Sequence, residues 1–107
     1  MNEPPSKEFY VYITASKPGG VIYVGMTSDL ARRAWQHRQR VTPGFATKYW
    51  VGRLVYYERH DCAATAAKRE RLMKRWRRAW KIELIEQQNP TWADLFPRVL
   101  REAGYEW

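Results

Sequence analysis

The sequence predicts an α/β domain of the α+β kind, a three-stranded antiparallel sheet flanked by helices, and three observations carry that expectation. Short runs of β-branched and aromatic residues recur at 9–14, 21–24 and 54–58. The turn signal Lys17-Pro18-Gly19-Gly20 joins the first two runs, and its glycine pair supplies the positive φ of a tight hairpin. Helix formers follow each half of the sheet, over 31–38 after the hairpin and over 63–80, a stretch rich in Ala, Leu, Met, Lys and Arg, after the third run.

In the first strand side chains alternate, so Tyr10 and Tyr12 share one face while Phe9, Val11 and Ile13 share the other and are read as core. Thr27, Ser28 and Asp29 offer capping oxygens to a first helix over 31–38. Residues 41–51 contain Pro43-Gly44 and show no sustained period. A long helix is expected over 63–80, with Ala66, Met73 and Trp80 on one stripe, continuing apolar to 88 at Ile82, Leu84 and Ile85. Asn89-Pro90 breaks it, a short turn capped by Thr91 follows at 92–95, and the tail adds one more helical piece. The domain reading is a loose tail over 1–8, a folded domain over 9–96 and a C-terminal extension over 97–107.

A chain of 107 residues supports one domain with one modest core. Cys62 is the sole cysteine, which excludes an internal disulfide and a thiol metal cage and fits a reducing, cytoplasmic location. No apolar run long enough for a signal peptide or membrane span is present, so no membrane partner is expected. The formal charge of +8 points to a polyanion. Much of it sits on 68–81, where Lys68, Arg69, Arg71, Lys74, Arg75, Arg77, Arg78 and Lys81 face the single carboxylate of Glu70, a balance of +7. A solvated surface would mix signs, so Lys68, Arg71, Lys74, Arg75, Arg77 and Arg78 are read as phosphate-tracking and Trp76 and Trp80 as core.

Tyr10-Val11-Tyr12 followed by Tyr23-Val24-Gly25 resembles the paired tripeptides of the GIY-YIG nuclease superfamily. The resemblance extends through 27–33 and His37, through Arg69-Glu70, and through Leu84-Ile85-Glu86 and 89–95, which are similar to the ending of the small bacterial single-domain branch. It covers about Phe9 to Phe96. Tyr10 stands where the family name has glycine, and Met26 where some members carry lysine. The resemblance implies a GIY-YIG-like fold and a divalent-metal-dependent endonuclease that hydrolyses DNA phosphodiester bonds, leaving a 5′-phosphate and a 3′-hydroxyl, in DNA repair, recombination or processing. RNA stays open as a partner, and so does oligomeric state.

The chemistry asks specific things of these residues. Arg33 is implied as the phosphate clamp, since a guanidinium is always charged and binds two phosphate oxygens in parallel. Glu70 is implied as the ligand of a hard divalent cation, Mg²⁺ first and Mn²⁺ second; its plain alternative is a helix charge paired with Lys74 at i+4. Tyr12 is implied as the base that takes a proton from water, but a phenol with a pKa of about 10 needs neighbouring cations to lower it. His37, four residues after Arg33, is the other candidate base, and Tyr23 hydrogen-bonds the water or the scissile phosphate. Gly25 is read as closing strand two where a side chain would obstruct the approach to phosphate or a tight turn. Asn89 either caps the preceding helix or helps to position the site. His60 is read as a strand-end residue and Cys62 as packing. The rival reading is a non-catalytic nucleic-acid-binding module that keeps the basic helix.

Overall fold

The run Phe9–Ala15 (β1) takes the middle of the sheet because both of its faces are apolar or aromatic, as a strand covered on both sides requires. In the computed structural model, which describes residues 8–39 and 52–104, β1 is flanked by Ile22–Thr27 (β2) and Arg53–His60 (β3), both antiparallel to it. The expectations for 1–7, for 41–51 and for 105–107 fall outside the described residues. Leu30–Gln39 forms α1, Ala63–Arg75 α2, Arg78–Gln88 α3 and Phe96–Glu102 α4. The fold class is therefore the one the sequence predicts. Among the described residues, no helix is long and apolar enough to cross a membrane.

Two cores form, one on each side of the sheet, where the sequence reading expected one. Val11, Ile13 and Ala15 pack with Ala66 and Met73 of α2 and Ile85 of α3. On the other face Tyr12 packs with Leu30 and Ala34 of α1 and with Phe96, Val99 and Leu100 of α4. The segment read as a C-terminal extension thus supplies two core side chains, and the folded unit runs past Phe96.

Local chemistry explains the start of α1. The carboxylate of Asp29 accepts the N–H of Arg32 at 2.9 Å and the hydroxyl of Thr27 accepts that of Asp29 at 3.0 Å, so donors left free at the helix start are satisfied. The hairpin between β1 and β2 closes with Ser16 N–H on Val21 carbonyl at 3.0 Å, and Gly19 holds φ at 72°.

The helix expected over 63–80 is interrupted. Trp76 and Arg77 adopt extended backbone, with ψ of 148° and 147°, and α3 restarts at Arg78. A straight helix would place Ile85 about a third of a turn off the stripe of Ala66 and Met73. The elbow brings Ile85 back to the core, and Trp80, the expected stripe residue, is 52% exposed. Trp76 stays against the core as read, under the guanidinium of Arg69 at 5.0 Å.

The short turn expected at 92–95 from a Thr91 cap does not form, whereas the helical piece expected in the tail is α4, which starts at Phe96. Asp94 accepts the Phe96 N–H at 3.0 Å and the Leu54 N–H at 3.1 Å, tying helix to sheet. Trp92 adopts left-handed backbone at φ 58°, a cost of about 1–3 kcal/mol. Burial of its indole and a bond from Nε1 to Glu86 at 2.8 Å offset that cost.

Of the two readings that Asn89 carried, the structure shows the cap. It is the C-cap of α3, and its buried amide donates to the carbonyls of Val55 at 3.1 Å and Ala93 at 2.9 Å while accepting the Ala93 N–H at 3.0 Å. Val55 is the extra residue of a bulge in β3, where Ile13 pairs with Tyr56 and Thr14 with Leu54. Asn89 therefore satisfies a carbonyl that the bulge takes out of the ladder, and both amide hydrogens are engaged by backbone. Asn89→Ala is expected to cost about 1–3 kcal/mol by orphaning these buried groups, read as a lower denaturant midpoint. An unchanged midpoint would remove the clamp role.

Candidate active site

The register of β1 and β2 assembles the first half of the site. Tyr12 pairs with Gly25 and Thr14 with Tyr23, so the Tyr12 and Tyr23 side chains leave one face of the sheet as diagonal neighbours. Gly25 lies between them. A Cβ built there would meet Cζ and Oη of Tyr12 at 2.6 Å and Cε1 of Tyr23 at 2.9 Å, so the two rings occupy the space a side chain would need. Tyr12 is 7% exposed under Leu30, Ala34 and Leu54, whereas Tyr23, on an edge strand, is 52% exposed.

The helices bring the charges. Burial pushes the Tyr12 phenol above its ordinary pKa; the guanidinium of Arg33 pulls it down, and Tyr23 and the carboxylate of Glu70 push it further up. Side chains from β1, β2, α1 and α2 thus act on one phenolic oxygen. The net direction is opposite to what an ionised base needs, and the Tyr12 phenol keeps its proton at neutral pH. Glu70 is 23% exposed, and its carboxylate lies 3.7 Å from Lys74 Nζ, the i+4 pairing that the sequence offered. Lys74 Nζ also lies 5.8 Å from the centroid of the Tyr23 ring. His37 sits on α1 one turn beyond Arg33, and its side chain lies outside the described residues.

The six cations read as phosphate-tracking all lie on the surface, but they are not equivalent. Lys68, Arg71 and Arg75 point from exposed positions on α2. Arg77 stacks on Trp80 at 5.7 Å. Arg78 donates to the carbonyls of Gly19 and Gly20, both at 2.7 Å, so this guanidinium fastens the hairpin tip to the start of α3.

Sequence reasoning missed a second polar network on the opposite face, at the free edge of β3. Tyr56 donates to Glu58 at 2.5 Å, His60 Nε2 lies 2.6 Å from the same carboxylate, and Arg69 Nε donates to both its oxygens. His60 Nδ1 also meets the Thr65 hydroxyl at 3.2 Å, and that hydroxyl bonds the exposed Cys62. Burial alone would raise the Glu58 pKa, but these bonds carry it below the ordinary carboxylate value. The alternation of Tyr56, Glu58 and His60 along one strand face was the available signal. Arg69 is thereby committed to structure while its neighbour Glu70 turns to the site.

A cleft beside the start of α1 is lined by Glu8, Asp29 and Glu102 with Tyr10 and Tyr57. Three carboxylates make it a poor seat for phosphate.

Comparison with known proteins identifies the family. The GIY-YIG catalytic domain model matches residues 8–83. The chain is 34% identical over 82 residues to UPF0213 protein SSP2268 of Staphylococcus saprophyticus, covering 73% of this chain and 94% of that protein. No solved structure matches it. With the family model spanning both tyrosine tripeptides, Arg33 and Glu70, the chain belongs to the GIY-YIG catalytic domain family.

Proposed function

We propose that this chain is a divalent-metal-dependent endonuclease that hydrolyses DNA phosphodiester bonds in repair, recombination or processing. Family membership supports the coarser statement, a nuclease-type function. The observation that supports the finer one is that Tyr23, Arg33 and Glu70, from three other elements, all lie close enough to the Tyr12 phenol to act on its charge.

Hydrolysis joins a water oxygen to phosphorus and breaks the bond to O3′. The water gives up a proton to a base, and the departing O3′ takes one up. Negative charge grows on the phosphate oxygens during this exchange, and Arg33, whose charge acts on the Tyr12 phenol, would clamp them with two parallel bonds. Tyr12, neutral and held beside Arg33, donates a hydrogen bond, and the exposed Tyr23 phenol orients the water or the phosphate. That division leaves the base to His37, one turn beyond Arg33 on the same helix.

Among the described residues, no group of three or more His, Cys, Asp or Glu side chains is arranged to hold a metal ion. A single half-buried carboxylate fits a hard cation such as Mg²⁺, with Mn²⁺ as the alternative, that keeps its waters and takes its other ligands from the substrate. Such an ion, when bound at Glu70, supplies polarisation of the phosphate and the leaving oxygen. The surface cations of α2 would hold flanking phosphates.

The test is a labelled panel of single-stranded, duplex and flap DNA and of RNA, incubated with Mg²⁺ or chelator. Cleavage by the wild type, lost with chelator and in Glu70→Ala, is the expected result. Binding without cleavage in the wild type would replace this reading with the non-catalytic module. In the same assay the pH–rate profile should lose its neutral limb in His37→Ala and keep it in Tyr12→Phe; the reverse pattern returns the base to Tyr12.

A further inference from the structure

Lys74 stands apart from the other cations of α2 and α3. Arg69 is committed to Glu58, Arg77 to the Trp80 ring and Arg78 to the hairpin carbonyls. Lys74 instead has its ammonium 3.7 Å from the Glu70 carboxylate and 5.8 Å from the Tyr23 ring. These two neighbours belong to different elements and both belong to the candidate active site.

An i,i+4 pair of this length at the surface of a helix does little for it, so stability is a weak reason for the placement. Charge development offers a stronger one. The scissile phosphate gains negative charge during attack, and Arg33 answers it from the side of Tyr12. On the side of Tyr23, the cation that the described geometry provides is Lys74. Its side chain is 49% exposed, and four flexible methylenes let the ammonium pass from carboxylate to a phosphate oxygen without any backbone movement.

We propose that Lys74 is a catalytic residue of this site: its ammonium, seated between Glu70 and the Tyr23 ring, binds a non-bridging oxygen of the scissile phosphate opposite Arg33. The proposal rests on the nuclease reading and adds a residue to it. It also separates Lys74 from Lys68, Arg71 and Arg75, whose exposed positions suit flanking phosphates.

The experiment compares Lys74→Met, which keeps the apolar stem, and Lys74→Arg, which keeps the charge, with the wild type in the full chain. For each, kcat and KM are measured for the DNA substrate that the wild type cuts, with the melting temperature and the salt dependence of binding to the same DNA in chelator. Lys74→Met is expected to lose about 10- to 100-fold in kcat with an unchanged melting temperature, and Lys74→Arg to recover most of that loss. Two results overturn the proposal. One is an unchanged kcat with a raised KM and a salt slope smaller by about one, which makes Lys74 a flanking phosphate contact. The other is a kcat loss matched by a fall in melting temperature and not repaired by arginine, which makes it structural. A wild type that binds DNA but cuts no substrate sinks the nuclease reading and Lys74 with it, whereas a cutting wild type with a fully active Lys74→Met sinks this proposal alone.

Discussion

Arg33→Ala is expected to lower kcat by about 10²- to 10³-fold, the loss seen when one preorganised donor to a developing oxyanion is removed. Arg33 is exposed on α1, so its removal leaves no buried group unpaired and the melting temperature should stay where it is. Arg33→Lys should recover only part of the rate, because a single ammonium cannot reproduce two parallel bonds to phosphate. A second readout needs no substrate. Burial raises the Tyr12 pKa and Arg33 is the group that draws it back, so removing the guanidinium should move the Tyr12 titration to higher pH still. The sign follows from charge: a cation favours the phenolate, and its loss favours the phenol. Spectroscopic titration of the tyrosines in Arg33→Ala and in Arg33→Ala with Tyr12→Phe isolates that phenol. Full activity together with an unmoved titration would take Arg33 out of the site and break the four-element convergence.

That convergence was readable along the chain only in part, and the unread part has physical causes. The strands announced themselves through β-branched and aromatic runs, and Glu70 with Lys74 at i+4 followed from helical spacing alone. The elbow at Trp76 and Arg77 had no glycine or proline to mark it. What breaks the helix there is the demand that Ile85 reach the core, a tertiary requirement that outweighs local propensity. For Tyr12 the sequence asked only whether cations would lower the phenol. The opposite sign comes from Leu30, Ala34 and Leu54, which bury the ring from two other elements. Asn89 offered the chain two equal roles, and the bulge at Val55, invisible in the sequence pattern, commits its amide to the backbone. The candidate site was therefore legible as a list of residues to look for, while the surroundings of Tyr12 and Asn89 depended on what packs against them.

Gly25→Ala puts that dependence to its sharpest test, because the added methyl brings neither charge nor a reacting group. The backbone at Gly25 does not have positive φ, so alanine is unstrained there and any effect is steric. The methyl would stand 2.6 Å from Cζ and Oη of Tyr12 and 2.9 Å from Cε1 of Tyr23. Tyr23, half exposed on an edge strand, can swing outward at little cost. Tyr12 cannot, since Leu30, Ala34 and Leu54 close the space behind it. Overpacking of this kind costs about 1–3 kcal/mol, or a melting temperature lower by roughly 4–8 °C for each kcal/mol in a domain of this size. Cleavage measured well below that temperature should nevertheless fall by about 10²-fold or more, since a misplacement of about 1 Å is enough to uncouple positioned groups. The double variant Gly25→Ala with Tyr12→Leu separates packing from chemistry. A leucine is too short to meet the methyl where the phenol does, so stability should return while cleavage stays lost. Wild-type activity in Gly25→Ala would mean that the two phenols are not held in a working geometry by the glycine between them, and the site as built from β1 and β2 would have to be abandoned.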